Sequence, residues 1–187
     1  MRLLILIFAW LVPLAASADN WSIVKGETRV EVDVAYRGAT VTLNFETVAG
    51  NILFDEKRPE IAKASIAVAT RNVETGVGLV NAFVKGPDYL AAEAFPQMDF
   101  RLDRLVQTSA STADVFGQIT MRGITRPAEF KATVFAYGPS EADADRFDAG
   151  FNLSGVVDRA QFGSTAGAPQ VATMLPVRIR LLMRSET

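Results

Sequence analysis

Between residues 94 and 130, apolar and polar residues alternate at period two, and this rhythm constrains the fold more than any other feature of the chain. Met98, Phe100 and Leu102 fall on one face of the first half, with Gln97, Asp99 and Arg101 on the other. In the second half Gly117, Ile119 and Met121 alternate with Gln118, Thr120 and Arg122. Period two is the mark of a half-buried strand, because successive side chains point to opposite sides of a sheet. The stretch reads as an antiparallel hairpin with one apolar face. It breaks at Gly123, and Pro127 sets up the next strand.

The rest of the chain keeps the same rhythm. Val30, Val32, Val34 and Tyr36 alternate with Glu31, Asp33 and Ala35, and Val41, Leu43, Phe45 and Thr47 with Thr42, Asn44 and Glu46. Residues 21–24 form a first strand or an entry segment, and residues 52–55 continue after a bend at Ala49-Gly50. Further strands are read over 61–70, 128–137, 147–157 and 177–184, separated by Gly-, Pro- and Asp-rich breaks. Residues 78–85 lose the alternation and carry Val80, Phe83 and Val84 at helical spacings, so a short helix is expected there. Residues 88–89 and 91–94 read as another helical turn, stopped by Pro96. The expected architecture is all-β, with about eight antiparallel strands and one short helical insertion lying across the mouth of the sheet or barrel.

The N-terminus reads as a targeting signal. Arg2 precedes an apolar run from Leu3 to Val12, Pro13 ends that run, and Ala16-Ser17-Ala18 offers small residues for cleavage. Residues 1–18 are therefore expected to be a signal peptide and 19–187 a single domain, periplasmic or secreted, with no integral membrane segment after cleavage. The mature chain would hold 18 Lys+Arg against 21 Asp+Glu, a net charge of −3, which gives no basic footprint for nucleic acid.

Two absences narrow the chemistry. With no Cys, an exported domain must be held by its core alone, which a chain of this length can do. With no His, Ser-His-Asp and Cys-His catalysis and nearly every zinc site are excluded. No catalytic residue, metal site or cofactor is expected. An acid–base enzyme would have to use carboxylates such as Asp99 and Asp103, which alternate with apolar residues on the presumed outer face.

An eight-stranded sheet folds as a sandwich or closes into a barrel, and a barrel of that size is filled by side chains or holds one small ligand. The presumed inward faces mix aromatics with small residues: Ala67, Ala69, Gly117, Ala132, Ala136 and Gly155. Small residues leave room for a ligand or relieve strain where strands pack closely. Composition leaves both readings open. Arg178, Arg180 and Arg184 on the last strand read as a solvated outer face that blunts edge pairing.

Several segments resemble the YceI-like polyisoprenoid-binding family. A-F-P-Q-M-D-F resembles that family's P-x-x-x-F strand. F-G-Q-I-T-M-R-G-I-T-R-P resembles its G-x-L-x-x-x-G-v-T-x-P element through Gly117, Ile119, Gly123, Thr125 and Pro127. V-V-D-R-A-Q-F-G resembles the R-x-d-F-G segment through Arg159, Phe162 and Gly163. F-E-T-V-A-G-N-I-L-F-D is similar to an upstream element through Phe45, Val48, Gly50, Ile52, Phe54 and Asp55. The chain departs from the pattern in having no His near residues 26–30 and in carrying Val80-Asn81 where relatives have an Arg-Asp-like pair.

The resemblance implies a lipocalin-like antiparallel β-barrel that is exported and holds a polyisoprenoid or isoprenoid-quinone chain inside. Phe45, Phe83, Tyr89, Phe100, Ile119, Met121, Phe151 and Phe162 are the candidate lining residues, with core packing as the alternative role of each. Arg159 is read either as reaching a quinone oxygen or phosphate at the rim, or as bonding Asp158, Asp148 or loop carbonyls. Gly123 and Pro127 read as turn chemistry, with Thr125 as a local backbone hydrogen-bonder. The competing reading of the whole chain is a stress-related or interaction module with a solid barrel core. A homodimer is left open.

Overall fold

A computed structural model describes residues 19–186, so the leader read in residues 1–18 lies outside the described residues. Ten strands form the body: β1 (Asp19–Ile23), β2 (Arg29–Tyr36), β3 (Ala39–Phe45), β4 (Val48–Phe54), β5 (Lys63–Ala69), β6 (Gln97–Gln107), β7 (Thr112–Met121), β8 (Ile124–Pro139), β9 (Phe147–Asp158) and β10 (Met174–Ser185). One helix, α1 (Gly78–Lys85), lies between β5 and β6, over the residues expected to be helical.

The ten strands make a closed barrel of eight staves, all neighbours antiparallel. β4 to β10 pair in the order β4-β5-β6-β7-β8-β9-β10. The free edge of β10 is shared, with Val177–Arg180 on β2 and Met183–Ser185 on β1. β1 pairs in turn with β4, and β2 with β3. Thus β1 and β2 act as one interrupted stave and β3 and β4 as another. At the first interruption the Thr28 hydroxyl stands in for a missing peptide group. It donates to the Leu182 carbonyl (3.1 Å) and accepts from the Leu182 N–H (3.0 Å).

The tight turns follow their residue types. Met121 faces Ile124 across Arg122-Gly123, both at positive φ (52° and 73°), and Tyr36 faces Ala39 across Arg37-Gly38 (48° and 85°). Two central residues at positive φ define the hairpin turn whose twist matches that of the strands. Gly123 therefore carries turn chemistry as expected. Pro127 does not, because it stands inside β8 opposite Gln118, short of Phe130, where pairing with β9 begins. Thr125, expected to bond the local backbone, instead pairs its hydroxyl with that of Thr120 across the strands (2.8 Å).

Two bulges alter the simple alternation. In β6 the register shifts between Leu102 and Arg104, so Leu102 and Leu105, three apart in sequence, both face inward. In β8 it shifts between Val134 and Ala136. Phe135 thereby packs over Gly150, with the Arg180 guanidinium 3.8 Å from its ring centre. The small-residue set divides accordingly. Gly117, Ala132 and Gly155 face inward, whereas Ala136 follows Gly150 outward, and Ala67 and Ala69 face outward because Ala64, Ile66 and Val68 take the inner side.

One end of the barrel is covered by residues 70–96, which include α1, and by residues 159–173. Val73, Leu90, Ala92 and Phe162 are buried beneath this cap. Arg122 staples it to the barrel, donating from Nη1 to the Pro87 carbonyl (2.6 Å) and the Tyr89 carbonyl (2.8 Å). Asn81, at one of the departures from the family pattern, serves the cap. Its Oδ1 accepts from the Thr75 N–H (2.8 Å) and hydroxyl (2.7 Å), and its Nδ2 donates to Glu74. The opposite end carries the loops 55–62, 108–111 and 140–146.

Candidate functional site

Inside the barrel lies a partly open cavity of about 250 Å3 whose wall exposes apolar surface only. It runs from Leu90 under the cap, past Phe45, Phe100 and Phe130, to Phe54 and Met183 near the far end. Every stave contributes, because each strand sends alternate side chains to the inside.

Room exists because large rings lie flat over inward glycines. A Cβ at Gly117 would meet the Phe100 ring at 2.5 Å, and one at Gly155 would meet the Phe130 ring at 2.7 Å. Phe100 and Phe130 meet edge to face, with ring centres 5.9 Å apart. Lower down, Phe54 meets Trp21 (6.0 Å) and Phe151 (5.7 Å) in the same manner. Such edge-to-face pairs contribute roughly 0.5–1.5 kcal/mol each beyond their burial. The aromatics thus form two layers around the space rather than filling it.

Of the residues singled out by sequence, Phe45, Phe100, Ile119, Met121 and Phe151 line the cavity. Four do not. Phe83 is 63% exposed, because α1 turns Val84 toward the core and leaves its neighbour on the outside. Tyr89 lies in the cap, its ring 5.7 Å from the Arg159 guanidinium. Phe162 is buried in the core cluster beneath the cap. Arg159 is only 4% exposed and binds loop carbonyls rather than reaching the rim. It donates from Nε to the carbonyl of Ala172 (2.9 Å), from Nη1 to that of Ser164 (2.6 Å), and from Nη2 to those of Ala166 (2.8 Å) and Val171 (3.0 Å). Burial pushes its pKa down, while these acceptors spread its charge over neutral dipoles. Of its two readings, the bond to loop carbonyls is the one realised.

Sequence reasoning passed over Phe54, Ile66, Phe130 and Met183 as lining residues. Reading Arg178, Arg180 and Arg184 as the outer face left Met183 on the inner one, but nothing in sequence separates a lining residue from a packed one.

Lys63 and Asp99 are the ionisable residues at the cavity wall, yet what they present to it is apolar. Asp99 accepts from Gln97 Nε2 (2.8 Å), and Asp103 accepts from Gln118 Nε2 (2.8 Å) and pairs with Arg101 (3.2 Å). These carboxylates are engaged with outer-face neighbours, not with the cavity. Among the described residues, no cluster of three or more acidic side chains is placed to hold a metal ion.

Comparison with known proteins agrees with this architecture. The YceI-like domain model matches residues 21–183. A UPF0312 protein of Pseudomonas putida strain GB-1 is 30% identical over 119 residues, which span 64% of this chain and 61% of the relative. The chain thus matches about three-fifths of the length of such relatives. Burkholderia cenocepacia BcnA has a similar fold, with a TM-score of 0.76 at 17% identity, over 86% of this chain and 98% of that one. A polyisoprenoid-binding domain from Saccharophagus degradans, implicated in plant cell wall breakdown, gives a TM-score of 0.66 at 14% identity, over 88% and 98%.

Proposed function

The chain belongs to the YceI-like domain family, and from that premise we propose that it is an exported carrier that holds a polyisoprenoid or isoprenoid-quinone chain inside its barrel. The observation that carries this reading is the cavity inside the barrel with its wholly apolar wall. A prenyl tail offers only C–H surface, so its affinity must come from burial, at about 0.8 kcal/mol per carbon unit. A few prenyl units offset association and ordering costs of roughly 4–15 kcal/mol. Holding such a chain needs no catalytic group, and a non-catalytic role is part of the proposal. A polyisoprenoid-binding neighbour of the same fold supports the same ligand class.

The cavity's 250 Å3 is close to the lower end of small-molecule pockets, roughly 300–1,000 Å3. It exceeds the roughly 150 Å3 apolar cavity that accepts benzene. A short prenyl segment fits this space. The cavity disfavours the solid-core module.

Export rests on the basic, apolar and small-residue succession in residues 1–18, with a periplasmic or secreted mature protein. Native mass spectrometry of protein purified from its own host, with organic extraction of any adduct, tests the carrier reading. A reproducible adduct of isoprenoid mass is expected. An unliganded mass together with no uptake of added quinone overturns it.

A further inference from the structure

The capped end of the barrel is sealed. The cavity-lining residues beneath the cap, Phe45, Leu90, Met121 and Leu175, are each at most 8% exposed. The cap is also bonded down. Thr70 donates from its N–H to the Pro96 carbonyl (2.9 Å) and from its hydroxyl to the Phe95 carbonyl (2.6 Å), in addition to the Arg122 staple. The cavity is nevertheless partly open, so its opening lies elsewhere in the wall.

The wall is thinnest between β5 and β6. Their pairing ends at Ser65↔Arg101, whereas β6 continues to Gln107 with its partners on β7 alone. The bulge between Leu102 and Arg104 falls in this stretch. Beyond the ladder the place of β5 is taken by a single 3-10 turn, Pro59–Ile61, which packs beside β6. No residue of that turn is buried, and Ile61 is 38% exposed. Its backbone bonds are local, from the Ile61 N–H to the Arg58 carbonyl (3.1 Å) and from the Ala62 N–H to the Pro59 carbonyl (3.1 Å). Among the described residues, no backbone hydrogen bond joins 59–62 to β6. A strand ladder resists opening because each peptide group in it would lose its partner. This seam lacks that restraint. Ala62, Lys63 and Ala64 border the cavity on one side of the seam, and Leu102 and Leu105 on the other. None of the five is buried, and Lys63 alone among the lining residues is exposed.

We propose that this seam is the port of the cavity. An apolar chain enters tail first between Pro59–Ile61 and β6, runs toward Leu90, and leaves its polar head at the port. The direction follows from the wall, which exposes apolar surface only. A head group drawn inside would give up its water and gain no hydrogen bond in return. Tail-first entry keeps that group in water, and the sealed end receives the chain terminus, which is C–H surface alone. The choice of ligand rests on the carrier reading; the position of the port does not.

The chain has no Cys, so one introduced Cys takes a biotin maleimide at a single place. Ile61→Cys puts the biotin over the seam, and Leu79→Cys, at a position 70% exposed on α1, puts it on the cap. Lys57→Cys, on the same exposed loop as Ile61, is a second attachment point near the seam. Streptavidin bound to the biotin then obstructs one end of the barrel or the other. Uptake of a short-tailed ubiquinone, followed by stopped flow, is expected to slow about tenfold with position 61 or 57 blocked and to be unchanged with position 79 blocked. Without streptavidin all three variants are expected to melt and load like the parent. The amount bound at equilibrium is expected to stay the same, because an obstructed port slows entry and release alike. Bound quinone is expected to be reduced by aqueous borohydride as readily as quinone in detergent, since its ring stands in water. Slower uptake with position 79 blocked, equal rates at both ends, or a bound ring that resists borohydride overturns the proposal. If no form takes up quinone, the carrier reading fails, and the same comparison with the apolar fluorophore 1-aminoanthracene decides the port. A protein that takes up neither probe overturns both.

Discussion

The Phe100 ring lies over Gly117 of the facing strand, so closely that a Cβ at 117 would stand 2.5 Å from the ring and 2.4 Å from the Arg101 carbonyl oxygen. The ring can turn aside, but the carbonyl belongs to the β6–β7 ladder and cannot move without breaking it. Gly117→Ala is therefore expected to destabilise the barrel by about 1–3 kcal/mol, the usual range for overpacking. Urea unfolding should show a lower midpoint at an unchanged slope.

Phe100 also tests the inward face. Phe100→Asp sets a carboxylate with no partner in a cavity whose wall is apolar throughout. Loss of packing alone costs about 3 kcal/mol for a Phe truncated to Ala, and the charge adds to that. Quinone retention should be lost in Phe100→Asp and kept in Phe100→Leu, as read by native mass spectrometry. Equal retention in the two variants would contradict the cavity assignment.

Arg159 holds residues 159–173 by satisfying four buried or half-buried carbonyls at once. A lysine has three donors on a single atom and no planar fork, so Arg159→Lys leaves acceptors unpaired. A loss of about 2–4 kcal/mol is expected. Hydrogen exchange should quicken across 159–173 first, while β6 and β7 stay protected.

Acid sensitivity should come from two outer-face pairs. Arg184 donates to Asp148 from Nε (2.7 Å) and Nη2 (3.0 Å), and this bonding holds the Asp148 pKa below 3.8, with burial opposing. Asp33 is lowered likewise, first by its bond from Arg178 and then by that from Thr42. A carboxylate whose pKa is depressed by folding stabilises the native state above its unfolded pKa. That contribution is lost as pH falls through the folded value. Tm should thus hold steady down to about pH 5 and decline through and below pH 3.8. Asp148→Asn should lower Tm at neutral pH by about 2–4 °C, for a pair worth roughly 1 kcal/mol, and make the acid decline shallower.

Much of the fold was legible because its signals are local. Period-two alternation marked β2, β3, β9 and β10, fading alternation marked α1, and Gly123 marked the β7–β8 turn. What escaped depends on partners distant in sequence. The β8 bulge that turns Phe135 over Gly150 and Ala136 outward is a property of pairing with β9, not of either strand alone. The outward placement of Phe83 follows from which side of α1 packs on the barrel. Arg159 stayed open between a rim charge and a structural one because its acceptors are backbone carbonyls, which every sequence contains.

By itself, the sequence determined an antiparallel β-protein without His or Cys, in which one face of each strand is apolar. Those properties are set by side-chain period, turn residues and composition. Only the tertiary structure decided that the apolar faces enclose a space. A cavity is the difference between the volume that eight staves enclose and the volume of the side chains they send inward. That difference depends on the register of every pair and on which rings come to rest over Gly117 and Gly155.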